Sequence, residues 1–235
     1  MIPRLIHQTA KNTNISEEWT CYQTKVKALH PDWTYHLWTD EDNLDLVATR
    51  FPQYHETYVG LPRNIMRADT IRYMLMYAFG GMYLDLDYEM LKSFTPLSGR
   101  VVLPRESENK DRIRLGNSIF ASEPGHPFWE AVLEELKATA PGPNVFVEED
   151  DILHITGPML LTRVYHKHFA NDPEIHIPSL EEFNPEIPGD DTAYKKLTST
   201  GVAFGIHHCT GSWRALTLPQ RIWNKLVRFL KLAQK

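Results

Sequence analysis

Two carboxylates separated by one residue, Asp85-Leu86-Asp87, follow a glycine pair, Gly80-Gly81, and an apolar run, Met82-Tyr83-Leu84. Read as an extended segment of period two, Met82, Leu84 and Leu86 take one face, and Tyr83, Asp85 and Asp87 take the other. The two acids then lie about 7 Å apart at roughly 3.3 Å per residue. Bare carboxylates that close repel and raise each other's pKa unless a cation neutralises them. Oxygen ligands of this kind suit a divalent ion, and an ion held by one or two carboxylates keeps sites free for phosphate oxygens. A second polar pair, Asp69 and Arg72, stands at i, i+3 on the preceding segment, on one helix face with Ile65 and Met76. It offers one acceptor and one fork of donors to a hydroxylated ligand; spacing alone equally allows a local ion pair. Asn117-Ser118 follows a basic stretch (Lys110, Arg112, Arg114) and can contact a ligand or cap a turn. His207-His208-Cys209 lacks the further spaced ligands that a zinc site requires.

The surrounding pattern alternates strand and helix. Residues 2–8 read as a first strand, 16–29 as a helix capped by Ser16, 33–38 as a second strand, and 39–49 as a second helix. Residues 63–79 form a helix stopped by Gly80-Gly81, and 82–87 continue as a strand. Further strands are expected at 101–106, 117–122 and 202–208, with helices at 127–139 and 159–168. Residues 171–191 are loop-like, with short extended pieces, and 219–235 are helical by period. This order implies an α/β fold around a central, mainly parallel sheet flanked by helices, in one domain over 1–235. The last helix carries Arg221, Lys225, Arg228, Lys231 and Lys235 without an acid, beside an apolar stripe of Ile222, Leu226, Phe229 and Leu230. A basic amphipathic helix of that kind either packs on the domain or lies on a membrane surface.

Composition narrows the classes. The 235 residues carry 30 acids against 25 bases, a formal charge of −5, with 42% hydrophobic and 23% charged residues. Disorder, collagen and coiled coil are excluded, and the missing basic field argues against nucleic acid as a partner. Two cysteines make no disulfide framework. No signal peptide or membrane span is read, so the expected location is cytoplasmic, peripheral at a membrane if the tail docks there. A Golgi-type lumen would require an N-terminal anchor ahead of Met1. Six Trp, ten Tyr and ten Phe suit a protein that stacks ring-shaped ligands, and equally a large core.

The run Arg67-Ala68-Asp69-Thr70-Ile71-Arg72-Tyr73, then Tyr77, Gly80-Gly81, Tyr83 and Asp85-Leu86-Asp87, resembles the signature of the DXD-containing sugar transferases of glycosyltransferase family 32. That family includes fungal initiating mannosyltransferases and is similar to the catalytic domains of glucosylating toxins. Ile2 to Gln8, His30-Pro31-Asp32-Trp33, Leu37-Trp38, Gly157-Pro158 and His207-His208 with Ser212-Trp213 match in kind and order, so the resemblance covers nearly the whole chain. It departs at Ala10, where the family carries a Trp after the first strand; stacking of a base must come from elsewhere.

The resemblance implies a GT-A fold, a nucleotide-sugar donor, Mn²⁺ or Mg²⁺, and retention of anomeric configuration. By position, Asp85 and Asp87 belong to the metal and donor diphosphate, with His208 completing the metal shell. Asp69 and Arg72 would hold the hydroxyls of the donor sugar. His7, Gln8, Tyr83 and Asn117 would line the donor site, and Ser212 and Trp213 would close over the diphosphate and departing sugar. The expected reaction moves a hexose, first mannose from GDP-mannose and next a UDP-hexose, to a glycan or lipid-linked acceptor. A toxin-like transferase acting on protein and a non-catalytic nucleotide-sugar binding module are the alternatives.

Overall fold

The computed structural model describes residues 1–94, 98–107, 113–187 and 190–211. Its strands are β1 (Leu5–Thr9), β2 (Thr34–Trp38), β3 (Gly81–Leu84), β4 (Tyr88–Met90), β5 (Val101–Val102), β6 (Ile119–Ser122), β7 (Ile175–His176) and β8 (Gly205–His207). Its helices are α1 (Glu17–Leu29), α2 (Asp40–Arg50), α3 (His55–Gly60), α4 (Asn64–Phe79), α5 (Pro127–Thr139), α6 (Glu149–Ile155), α7 (Pro158–Val164), α8 (Leu180–Phe183) and α9 (Asp191–Ser199). Six strands form one sheet in the order β2-β1-β3-β6-β5-β7, and β4 and β8 pair as a separate ribbon. Strand β1 runs parallel to β2 and β3, and β5 parallel to β7, while β6 lies antiparallel between β3 and β5.

Strand alternation divides the core into two layers. Tyr83, Phe120 and Val101 pack on one face with Ile71 and Tyr73 of α4 and with Trp129 and Leu133 of α5. Met82, Leu84, Ile119, Ala121 and Val102 pack on the other with Val26 of α1, Phe183 of α8 and Phe204. Helix α4 is buried from Asp69 through Met76, so polar residues survive there only with partners.

Local chemistry sets the element ends. Ser16 Oγ accepts from Trp19 N to start α1, and Thr39 with Asp42 forms a capping box on α2. Gly80 and Gly81 adopt φ of 63° and 87°, the left-handed region, and turn α4 straight into β3. A Cβ on Gly81 would stand 2.6 Å from Leu5 O, so neighbouring β1 also demands glycine there.

Two expectations change. Strand β3 stops at Leu84: Asp85 N bonds Ser118 O at 2.8 Å, and Tyr88 N closes a turn onto Asp85 O at 3.1 Å. The acid pair therefore sits in the turn from β3 to β4 and not along a strand. Residues 165–169 continue α7 as a π turn. The basic helix expected over 219–235, with Ser212 and Trp213 before it, lies outside the described residues, as do Lys110 and Arg112. Among the described residues no helix is long and apolar enough to cross a membrane.

Substituting Gly81→Ala is expected to cost about 2 kcal/mol, lowering Tm by about 4–8 °C for a chain of this size. Gly142→Ala, where an added Cβ meets nothing within 4 Å, should leave Tm nearly unchanged. Thermal melts of both variants check this.

Candidate active site

Parallel β1, β2 and β3 end together, and the turn bearing Asp85 and Asp87 leaves from that C-terminal edge, the place where open α/β sheets bind ligands. Beneath it α4 presents Asp69 and Arg72. The Arg72 guanidinium, 5% exposed, joins three elements. Nη2 stands 3.1 Å from Asp69 Oδ1, Nη1 stands 3.2 Å from Asp85 Oδ1, and Nη1 also donates to Asn117 O. The guanidinium lies over the Tyr83 ring at 5.1 Å. Asp69 takes two more donors, Asn117 Nδ2 at 3.0 Å and Thr156 Oγ1 at 3.0 Å. All three neighbours donate to Asp69, the pattern of an ionised carboxylate. Burial nevertheless pushes its pKa up to about 7, against the pull of Arg72.

The DXD acids have different surroundings. Tyr83 OH donates to Asp85 Oδ1 at 2.8 Å, and Gln8 Nε2 holds Asp85 O at 3.2 Å. Burial raises Asp85, opposed by Arg72 and then by His207. Asp87 Oδ2 accepts from Thr210 N at 2.9 Å and Thr210 Oγ1 at 2.8 Å, while its Oδ1 lies 3.3 Å from His207 Nε2. Burial would raise Asp87, yet the bonds from His207 and Thr210 hold it well below the usual carboxylate range. Burial likewise opposes the charged form of His207, but its bond to Asp87 and the two carboxylates raise its pKa to about 10.

Asp85, Asp87 and His207 offer ligand atoms that all lie within 4.8 Å of one another. Around a small divalent ion with ligands at about 2.1–2.3 Å, adjacent donors stand about 3 Å apart and opposite ones about 4.4 Å. The His207 Nε2 distances of 3.3 Å to Asp87 and 3.9 Å to Asp85 fit that range with little movement. Two carboxylates suit Mn²⁺ or Mg²⁺, the imidazole favours Mn²⁺ of the two, and the triad fits the group that the resemblance implies.

The structure corrects several expected roles. His207, not His208, faces the acid pair. His208 Nε2 donates to Glu89 at 3.1 Å and its ring stacks on Tyr22 at 5.0 Å. The cause is strand parity: His207 pairs with Tyr88 across the ribbon, so the next side chain leaves by the opposite face. His7, Gln8 and Tyr83 are buried, Tyr83 and Gln8 bonding Asp85 and His7 bonding the Gly80 carbonyl. His7 accepts from Trp38 Nε1 at Nδ1 and donates from Nε2 to Gly80 O, its imidazole kept neutral by burial that lowers its pKa to about 4. Asn117 stands at the half-buried margin beside Asp69. Thr156 and Thr210 escaped sequence reading, because a lone threonine carries no signal of its distant partner.

An acid turn at the C-terminal edge of a mostly parallel α/β sheet, braced by a helix-borne Asp–Arg pair, defines the GT-A class of nucleotide-sugar-binding folds. Residues 16–107 match the family model described as the glycosyltransferase sugar-binding region containing the DXD motif. The chain is 35% identical over 164 residues to inositol phosphoceramide mannosyltransferase 3 of Schizosaccharomyces pombe, covering 70% of this chain and 45% of that one. It is 33% identical over 176 residues to mannosyl phosphorylinositol ceramide synthase CSH1 of Saccharomyces cerevisiae, covering 74% and 46%. It thus spans a little under half the length of these relatives. In fold it is similar to the PaToxG glycosyltransferase, with a TM-score of 0.56 at 17% identity, over 72% of this chain and 70% of that one.

Arg72→Met leaves the buried Asp69 and the part-buried Asp85 without their shared counter-charge and is expected to destabilise by about 3 kcal/mol. Adding Asp69→Asn should return part of that loss, because one of the two stranded charges is gone. Urea unfolding of the single and double variants reads both steps.

Proposed function

We propose that the chain is the catalytic part of a metal-dependent, retaining hexosyltransferase that uses a nucleotide-sugar donor and a glycan or lipid-linked acceptor. The observation that carries this reading is the convergence of Asp85, Asp87 and His207 directly above the buried Asp69–Arg72 pair. Mannose from GDP-mannose is the first donor of choice, supported by the mannosyltransferase names of relatives at 30–35% identity. A UDP-hexose is the second.

Asp85, Asp87 and His207 would hold Mn²⁺ or Mg²⁺. Such an ion, when bound, supplies positive charge to the diphosphate as it departs. The chain's own residues then divide the work. Thr210 fixes the Asp87 carboxylate, while Tyr83 and Gln8 fix Asp85, so the ligand oxygens are oriented before the donor arrives. Asp69 and Asn117, bonded to each other beside Arg72, would meet the hydroxyls of the donor hexose. In the retaining reaction the bond from the anomeric carbon to the phosphate oxygen breaks, and the acceptor oxygen bonds the same face. The acceptor proton passes to the leaving phosphate, so no side-chain nucleophile is needed. For the base, Trp38 is half-buried and pairs in register with Thr9, one residue before Ala10. It offers a ring where the family's Trp is missing. Docking of residues 219–235 on a membrane surface remains part of this proposal.

Mn²⁺ is expected to raise Tm on its own, and to raise it further together with the true donor or its nucleoside diphosphate, tracking RT ln(1 + [L]/Kd). Asp87→Asn should lower metal-dependent transfer or donor hydrolysis at least about 100-fold, and His207→Ala should weaken Mn²⁺ binding about 10- to 100-fold. Absence of a metal-dependent shift with every nucleotide sugar would overturn the reading.

Metal binding should also release protons. His207, charged up to about pH 10 in the metal-free chain, must become neutral to ligate. Affinity for Mn²⁺ is therefore expected to rise between pH 6 and pH 9, with roughly one proton released per ion at pH 7. Calorimetry in buffers of different ionisation enthalpy measures this.

A further inference from the structure

The ribbon of β4 and β8 has two faces. On one, Tyr88 and His207 stand opposite each other, and His207 reaches the acid pair. On the other lies a cluster with no part in the proposed metal site. Glu89 Oε2 accepts from His208 Nε2 at 3.1 Å and from Tyr194 OH at 2.7 Å, and Oε1 accepts from Lys25 Nζ at 2.9 Å. The His208 ring lies flat on Tyr22, 5.0 Å between centroids with a 4° tilt. One carboxylate thus gathers α1, α9 and the end of β8.

The sequence poses a problem that this cluster answers. Two histidines in succession could each supply an imidazole to Asp85 and Asp87, and a one-residue shift of pairing exchanges the faces of a strand. Gly205 fixes the start of β8, because an added Cβ would meet the Tyr88 ring at 2.2 Å. Beyond His207 the chain leaves the strand, held by His208 N to Asp87 O at 3.0 Å and by the Thr210 bonds to Asp87. At that end the choice between the two imidazoles is local, and a captured His208 cannot compete.

We infer that Glu89 is a positioning residue: by capturing His208 against Tyr22, it selects His207 as the imidazole presented to Asp85 and Asp87. This rests on the reading of those three residues as the divalent-metal site. Glu89 suits the role because three donors converge on it and its side chain is only 17% exposed. His208, for its part, is committed on both its ring edge and its ring face.

The test measures Mn²⁺ affinity of the full chain by electron paramagnetic resonance, with Tm recorded for each variant. Glu89→Ala is expected to weaken binding about tenfold or more, the usual size for loss of a group that orients a metal ligand. Glu89→Gln keeps an acceptor for His208 and Tyr194 and loses only the Lys25 pair, so it should stay within about fivefold of wild type. The decisive variant is Glu89→Ala with His208→Phe. Phenylalanine still stacks on Tyr22 but cannot ligate, so removing the competitor should restore most of the affinity. Unchanged binding by Glu89→Ala, or a double variant no tighter than Glu89→Ala, overturns the inference and leaves a purely structural cluster. If Glu89→Ala does not fold, Tyr22→Ala loosens His208 from the other side, and His208→Phe should relieve its loss in the same way. No Mn²⁺ binding by the wild-type chain would overturn the metal site and this inference together. Wild-type binding with an unaffected Glu89→Ala would overturn the inference alone.

Discussion

The site depends on one buried guanidinium. Asp69, Asp85 and Asp87 bring three negative charges to a largely dry corner of the fold, and Arg72 brings one positive, so −3 + 1 = −2. Without Arg72, Asp69 would have no partner of opposite sign and Asp85 would keep only His207, 3.9 Å away, so burial would drive a proton onto one of the two acids. With Arg72 in place, the remaining surplus matches a divalent cation. In the metal-free chain a protonated His207 offsets half of it. The two states thus share one arrangement of carboxylates, and the imidazole exchanges a proton for a ligand role.

Much of the architecture serves that corner. The glycine pair after α4 lets the helix bearing Asp69 and Arg72 return immediately as β3, so the Asp–Arg pair and the acid turn come from one hairpin-like unit. Pairing of β1 with β3 brings Gln8 under the Asp85 backbone and His7 under Gly80. The β4–β8 ribbon then carries the chain's late residues back across more than a hundred positions, bringing His207 and Thr210 to Asp87. Buried polar groups in this region are satisfied in turn: Tyr83 on Asp85, Thr156 on Asp69, and Tyr73 on the Thr156 carbonyl. Such a network resists rearrangement, which is what a site that must hold oxygens in place before its ligand arrives requires.

What the sequence disclosed and what it withheld divide along physical lines. Local signals carried the helices, since Ser16, Thr39 and Gly80-Gly81 mark ends by chemistry within a few residues. The spacing of Asp69 to Arg72 and of Asp85 to Asp87 is local too, and those four residues are together in the structure. Direction in a sheet is not local: residues 119–122 read as a strand, but nothing in an apolar run says that it pairs antiparallel between β3 and β5. The parity of β8 was likewise invisible, because which of two adjacent histidines faces the acids depends on a partner strand far away in sequence. The roles of His7, Gln8 and Tyr83 shifted for the same reason. Their identity suits ligand contact, but burial among β1, β2 and β3 turns them into supports. Short α3, α8 and α9 were missed because none carries a long periodic run, although Ser179 and Glu182 form a capping box on α8.

The chemistry of this site turns on where a divalent ion goes. The most direct measurement is an anomalous-difference map from crystals of the chain soaked with Mn²⁺ and a nucleoside diphosphate. One strong peak is expected, bounded by Asp85, Asp87 and His207 Nε2, with the diphosphate on its open side and His208 still against Glu89. A peak ligated by His208 in place of His207, or no manganese at the acid turn while the nucleotide is bound, would contradict that placement.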